Sequence, residues 1–105
     1  MDYNFFMKKA LRLAENALKA GDFPVGCVIV YDDRVISTGA RISTAPDSTN
    51  ELDHAEIIAL RGLAKIDNNT YKKSGLKIDK NRITLFSTLE PCLMCYGAIL
   101  INGIS

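Results

Sequence analysis

The sequence predicts a single α/β domain in which helices cover a mixed sheet. Three observations carry that prediction. At 105 residues the chain has room for one modest core. Its apolar residues recur at helical spacing in some stretches and run without a break in others. Those stretches follow one another as helix, hairpin, helix, strand, helix, an order that puts helices on the faces of a sheet.

Tyr3 to about Lys19 reads as an amphipathic helix, because Phe6, Ala10, Leu13, Ala14, Ala17 and Leu18 recur at its period and Gly21 is a natural stop. Pro24 leads into Val25-Gly26-Cys27-Val28-Ile29-Val30-Tyr31, a continuous apolar run typical of a buried strand. Asp32-Asp33 suits a turn, and Arg34 to about Arg41 pairs back as a second strand. Ser43 to Leu52 is polar and turn-rich and reads as a loop over the site. Asp53 is placed to cap a helix through Ile57, Ile58, Leu60 and Leu63. Asp67 to Asn81 is a long polar connection, and Ile83 to Ser87 a third β-rich run. Pro91 suits the first turn of a last helix through Ala98, Ile99 and Leu100. Gly103-Ile104-Ser105 looks like the opening of a further strand, so more of the sheet is expected beyond this chain.

Composition bounds the function. Apolar residues make up 48% and charged residues 24%, ordinary values for a globular chain. A net charge of +1 gives no bulk electrostatic footprint for nucleic acid. The N-terminus lacks the basic-then-apolar order of a secretory signal, and no apolar run is long enough to cross a bilayer. The 3 cysteines, 2 of them in a C-x-x-C, do not resemble a secreted disulfide framework. A reducing cytoplasm is the expected compartment, with no membrane partner.

The chemistry lies in two short motifs. His54-Ala55-Glu56 offers a nitrogen ligand and an acid, and Pro91-Cys92-Leu93-Met94-Cys95 offers two thiolates. On a helix, Cys92 and Cys95 face the same way, in a first turn where the dipole favours thiolates. Three protein ligands leave one zinc position open, as in catalytic rather than structural sites. Glu56, one residue beyond the His-Ala step, is then the candidate to take a proton from water and return it to a leaving group.

Each motif alone has a plainer reading. Asp53 followed by Glu56 three residues later resembles a capping box. A lone C-x-x-C is also a redox pair. Ligation by Cys27 would close the sphere into a structural Cys3His site, whereas its place among Val25, Val28 and Val30 is that of a small core residue.

Taken together, the motifs resemble the cytidine and nucleobase deaminase superfamily, whose known signature is H-x-E followed by P-C-x-x-C. Phe23-Pro24-Val25-Gly26, Gly39 and Thr88-Leu89-Glu90-Pro91-Cys92-Leu93-Met94-Cys95-Tyr96-Gly97-Ala98 fit as well, and the last stretch is most similar to bacterial tRNA adenosine deaminases. The resemblance implies a three-layer helix/mixed-sheet/helix cytidine-deaminase-like fold over 1–105, with its C-terminal strands outside this chain. It implies one Zn2+ held by His54, Cys92 and Cys95, and Glu56 as the catalytic proton carrier. Phe23, Ala55, Leu89 and Glu90 would line or rim the pocket. The tRNA enzymes carry an asparagine shortly after the second strand's glycine; here Ala40 and Arg41 follow Gly39, and Arg41 becomes the candidate contact to a phosphate or base edge. The lead into His54 also differs, reading Asn50-Glu51-Leu52-Asp53.

The implied activity is hydrolytic deamination of an amino-bearing base, first of adenosine in tRNA. The alternatives are deamination of guanine, cytosine, cytidine or deoxycytidylate, or a zinc-stabilised module without activity. Lys72, Lys73, Lys77, Lys80 and Arg82 read either as a phosphate track or as a solvated loop. Relatives are typically homodimers, which makes a second copy the expected protein partner.

Overall fold

The computed structural model describes residues 1–41, 53–67, 78–89 and 93–104. Their elements run α1 (Tyr3–Lys19), β1 (Gly26–Tyr31), β2 (Arg34–Ala40), α2 (Ala55–Ile66), β3 (Ile83–Ser87) and α3 (Leu93–Ile101), with a 3-10 turn at Lys80–Arg82 before β3. The strands form one sheet in the order β2-β1-β3. Helices cover both faces, so the three-layer expectation holds. Both described pairings are antiparallel. Among the described residues the sheet is therefore wholly antiparallel, where the sequence predicts a mixed one.

Strand β1 sits at the centre and is buried along its whole length, which explains why it reads as an unbroken apolar run. Its residues still alternate between two cores. Val28 and Val30 face α1 and pack with Phe6, Ala10 and Phe86. Cys27, Ile29 and Tyr31 face the other way, into a larger core with Ala59, Leu60 and Leu63 of α2 and Ile99 of α3.

Two glycines set how closely the helices approach. A Cβ on Gly26 would lie 2.1 Å from the Ala10 carbonyl oxygen of α1. One on Gly39 would lie 2.0 Å from the Ala55 carbonyl oxygen of α2. Both distances are far inside van der Waals contact, so each helix lies directly on bare backbone. The Ser37 hydroxyl adds a tie by donating to the Ala59 carbonyl at 2.6 Å, fixing α2 along β2.

Local chemistry explains the remaining boundaries. Asp2 caps α1 by accepting from the Phe5 amide at 3.1 Å, and Gly21 ends the helix region with φ +85°. The hairpin closes through Asp32 and Asp33, whose φ values of 53° and 59° are both positive, as a two-residue type I′ turn requires. Strand β1 begins one residue later than predicted, because the Val25 amide donates to the Phe23 carbonyl at 2.8 Å.

The predicted Asp53 cap is not formed. His54 occupies the N-cap position without a side-chain cap bond, and Asp53 pairs instead with Arg61 further along α2. At the other end, Gly103 takes φ +80° and stops α3, while the Ile104 amide donates to the Ile99 carbonyl at 3.2 Å. Ile104 is buried in the larger core, and the strand expected from Gly103 onward is not formed among the described residues. The predicted loop from Ser43 to Leu52 and the basic residues Lys72, Lys73 and Lys77 lie outside the described residues. Arg82 lies within them, paired with Asp32 and set over the Tyr31 ring, where it latches the hairpin.

Candidate metal centre

The site forms where three elements end on the same sheet face. Gly39 lets the first turn of α2 rest on β2, which buries Ala55 completely and leaves Glu56 only 3% exposed. His54 stands just ahead of that turn. Cys95, in the first turn of α3, is fully buried against it. Ser87 closes β3 directly opposite Cys27 of β1. The next residue fastens this corner, since the Gly26 amide donates to Thr88 Oγ1 and the Thr88 amide donates back to the Gly26 carbonyl, both at 3.0 Å.

The side chains meet in a compact group. His54 Nδ1 lies 3.5 Å from Cys95 Sγ, and Cys95 Sγ lies 3.3 Å from Glu56 Oε2. Ser87 Oγ lies 2.6 Å from Glu56 Oε1 and 2.7 Å from the Leu89 carbonyl oxygen. The ligand atoms of His54, Glu56 and Cys95 all fall within 4.8 Å of one another. Zinc bonds of about 2.0–2.3 Å in a tetrahedron place neighbouring donors roughly 3.3–3.8 Å apart, so the 3.5 Å separation of His54 Nδ1 and Cys95 Sγ already matches one ion. An imidazole nitrogen and a thiolate are also the donor types zinc prefers. The group fits the metal.

Glu56 is not the helix-capping carboxylate that its sequence position suggests. Its oxygens face Ser87 and Cys95, both brought in from other elements. A buried carboxylate between a hydroxyl and a thiol is equipped to exchange protons. The Ser87 hydroxyl suits either state: it donates to the carboxylate, or accepts from the protonated acid while donating to the Leu89 carbonyl.

Cys27 faces the same side but stays outside the cluster that could hold a metal. It is fully buried within the larger core. Burial first, and then the nearby Glu56 and Cys95 charges, push its thiol well above the ordinary value of 9.0. Its place outside that group sets Cys27 apart from the metal-ligand candidates.

The other sequence candidates are scattered. Cys92 and Glu90 lie outside the described residues. Ala55 is buried at the site itself. Phe23 and Leu89 are more than half exposed, at 58% and 52%. Arg41 follows β2; its amide donates to the Val25 carbonyl at 3.2 Å, and its buried Nη1 has no hydrogen-bond partner among the described residues. Sequence reasoning passed over Ser87. The signal was a hydroxyl in the alternation Ile83, Leu85, Ser87, where a core-facing position calls for an apolar side chain.

Comparison with known proteins agrees with this geometry. A model of the cytidine and deoxycytidylate deaminase zinc-binding region matches residues 1–105. A tRNA-specific adenosine deaminase from Buchnera aphidicola is 41% identical over 101 residues, covering 96% of this chain and 56% of the relative. One from Streptococcus pyogenes is 36% identical over 98 residues, covering 93% of this chain and 55% of the relative. The chain thus spans about half the length of these curated relatives. Among solved structures, guanine deaminase from Bacillus subtilis is similar with a TM-score of 0.74 at 32% identity, covering 95% of this chain and 58% of that one. A structure from work on tRNA:A34 deaminases that edit the wobble position also reaches 0.74, at 30% identity, covering 99% and 72%.

Proposed function

Since this chain belongs to the cytidine and deoxycytidylate deaminase zinc-binding family, we propose that it is the zinc-dependent core of a hydrolytic deaminase acting on adenosine in tRNA. The observation that carries the proposal is Glu56: buried, 3.3 Å from one ligand thiol, and hydrogen-bonded at its other oxygen. A purely structural zinc site has no use for such an acid. The relatives named above supply the substrate class.

His54, Cys92 and Cys95 would hold the metal, leaving one position open. Bound there, zinc supplies the Lewis acidity that makes water nucleophilic near neutral pH. Glu56 takes the proton from the attacking water and passes it to a ring nitrogen of the base. It then carries the second proton to the departing amino group, which leaves as ammonia. The stem of α2 keeps the carboxylate out of bulk water through both transfers. By the family resemblance Phe23, Leu89 and Glu90 would rim the opening and the Ala55 amide would hold the polar edge of the ring, while Arg41 Nη1, buried without a hydrogen-bond partner among the described residues, would donate to a phosphate or base edge.

A free base such as guanine is the second reading, favoured by the equal structural similarity to guanine deaminase. The two readings differ in electrostatics. Binding to tRNA weakens steeply as salt rises, because phosphate contacts release counterions, whereas binding of a free base does not. A homodimer is part of the proposal, supported by the exposed Met94 and Leu100 on α3, and light scattering would register it. Cysteine usage supports the cytoplasm as its compartment.

The test pairs zinc content with ammonia release from an anticodon-loop adenosine, guanine, cytosine, cytidine and deoxycytidylate. One zinc per chain is expected, with turnover on the tRNA substrate. Glu56→Ala should keep the zinc and lose roughly 10²–10⁴-fold in kcat. Undiminished turnover in that variant would exclude the assigned role.

A further inference from the structure

We propose that Ser87 is the positioning residue for Glu56, fixing which carboxylate oxygen faces the metal ligands. The proposal rests on the reading of Glu56 as the proton carrier. It starts from a mismatch between pattern and residue. Ile83, Leu85 and Ser87 share the face of β3 that α2 and α3 cover, and the first two pack into the apolar core. The third places a hydroxyl there.

That hydroxyl lies 2.6 Å from Glu56 Oε1. The last torsion of a glutamate is broad and two-fold, so nothing in the side chain itself distinguishes its two oxygens. A short bond from a hydroxyl to a carboxylate is among the stronger hydrogen bonds and removes the equivalence. With Oε1 held by Ser87, Oε2 is the oxygen left beside Cys95, at 3.3 Å. One oxygen is anchored and the other is presented.

The anchor is itself held. Ser87 is the last residue of β3 and pairs with Cys27 on the central strand. Thr88 ties the same corner to Gly26 through two bonds of 3.0 Å. The Leu89 carbonyl, 2.7 Å from Ser87 Oγ, is a second acceptor for the same single proton, so the hydroxyl donates to Glu56 when that side chain is ionised and to Leu89 when it is protonated, touching Oε1 in both states. The orientation of Glu56 is therefore set by the sheet as well as by its own helix. Ser87 stands outside the candidate metal group and reaches it through Glu56.

Ser87→Thr and Ser87→Val test this as a pair, because the two side chains have nearly the same shape and only threonine has the hydroxyl. The first readout needs neither metal nor substrate. Urea unfolding of the zinc-free full chain should give unfolding constants about tenfold apart for the two variants, narrowing to within about threefold when Glu56→Ala is added. If valine prevents folding, Ser87→Ala takes its place. The second readout uses the zinc-loaded chain. The hydroxyl-free variant should lose about tenfold or more in kcat with KM within about threefold, while Ser87→Thr keeps both and zinc content stays the same. An equal gap between the two variants with and without Glu56 would overturn the proposal, as would a hydroxyl-free variant with unchanged kcat. If the parent chain turns over nothing on the panel, the reading of its function falls, and the unfolding cycle alone decides whether Ser87 holds Glu56.

Discussion

Cys27 and Cys95 are both fully buried thiols, and their surroundings divide their roles. Cys95 lies in the group with His54 and Glu56, whereas Cys27 stands on the central strand outside that group, packed into the larger core. Cys27→Ala should leave zinc stoichiometry unchanged and lower stability by roughly 1 kcal/mol through the small cavity it opens; loss of the metal would make Cys27 a ligand. The thiol also predicts an alkaline effect. Above pH 9.0 the unfolded chain loses this proton while the folded chain, whose thiol titrates higher, keeps it. Stability then falls as pH rises, by at most ~1.4 kcal/mol per pH unit from this group. Urea unfolding at about pH 8 and about pH 10 should show a smaller drop in Cys27→Ala than in the parent, and equal drops would refute the assignment. His54, Glu56 and Cys95 were legible because their residue types are rare and their spacing is informative. Ser87 was not, because a serine in a strand announces nothing until the partner across the sheet is known.

At the scale of elements, the sequence pattern and the structure agree where periodicity is strong. Helix α1 runs from Tyr3 to Lys19 as its apolar spacing predicts, and the hairpin turns at Asp32-Asp33. Agreement ends where tertiary contacts decide. Asp53 has the right residue type for a cap, yet Arg61 draws it away and Glu56 turns inward to Ser87 and Cys95. The close approach at Gly39 yields a prediction for α2. Gly39→Ala places a methyl 2.0 Å from the Ala55 carbonyl, so the helix start must move, at a cost of roughly 3 kcal/mol. Because that turn carries Glu56, activity should fall along with the melting temperature; an unchanged melting temperature would refute the packing argument. The turn offers the opposite sign. Asp33 has φ 59°, and relief of ~1 kcal/mol of left-handed strain exceeds the roughly 0.5 kcal/mol entropic cost of glycine. Asp33→Gly should therefore raise the melting temperature slightly, and a decrease would show that the aspartate side chain stabilises the turn.

Across the whole molecule, the candidate metal ligands come from separate parts of the chain. His54 precedes α2 and Cys95 lies in α3, so a bound ion links both helices over the sheet face. Stripping zinc with a chelator should lower the unfolding midpoint and restoring it should recover the loss, about 2.7 kcal/mol when free metal is 100-fold above its Kd. An unchanged midpoint would mean that the donors do not share an ion. The layered arrangement was legible in the order of elements, whereas the antiparallel register of β1 with β3 depends on contacts far apart in sequence. That separation has a consequence in time. The bonds that define the site span 31, 39 and 41 residues. None of them can form within a nascent segment, and closing such loops is the slow part of folding. The donors meet only once α3 lies against α2, so the full set that a metal would need is a product of folding and not of any local segment.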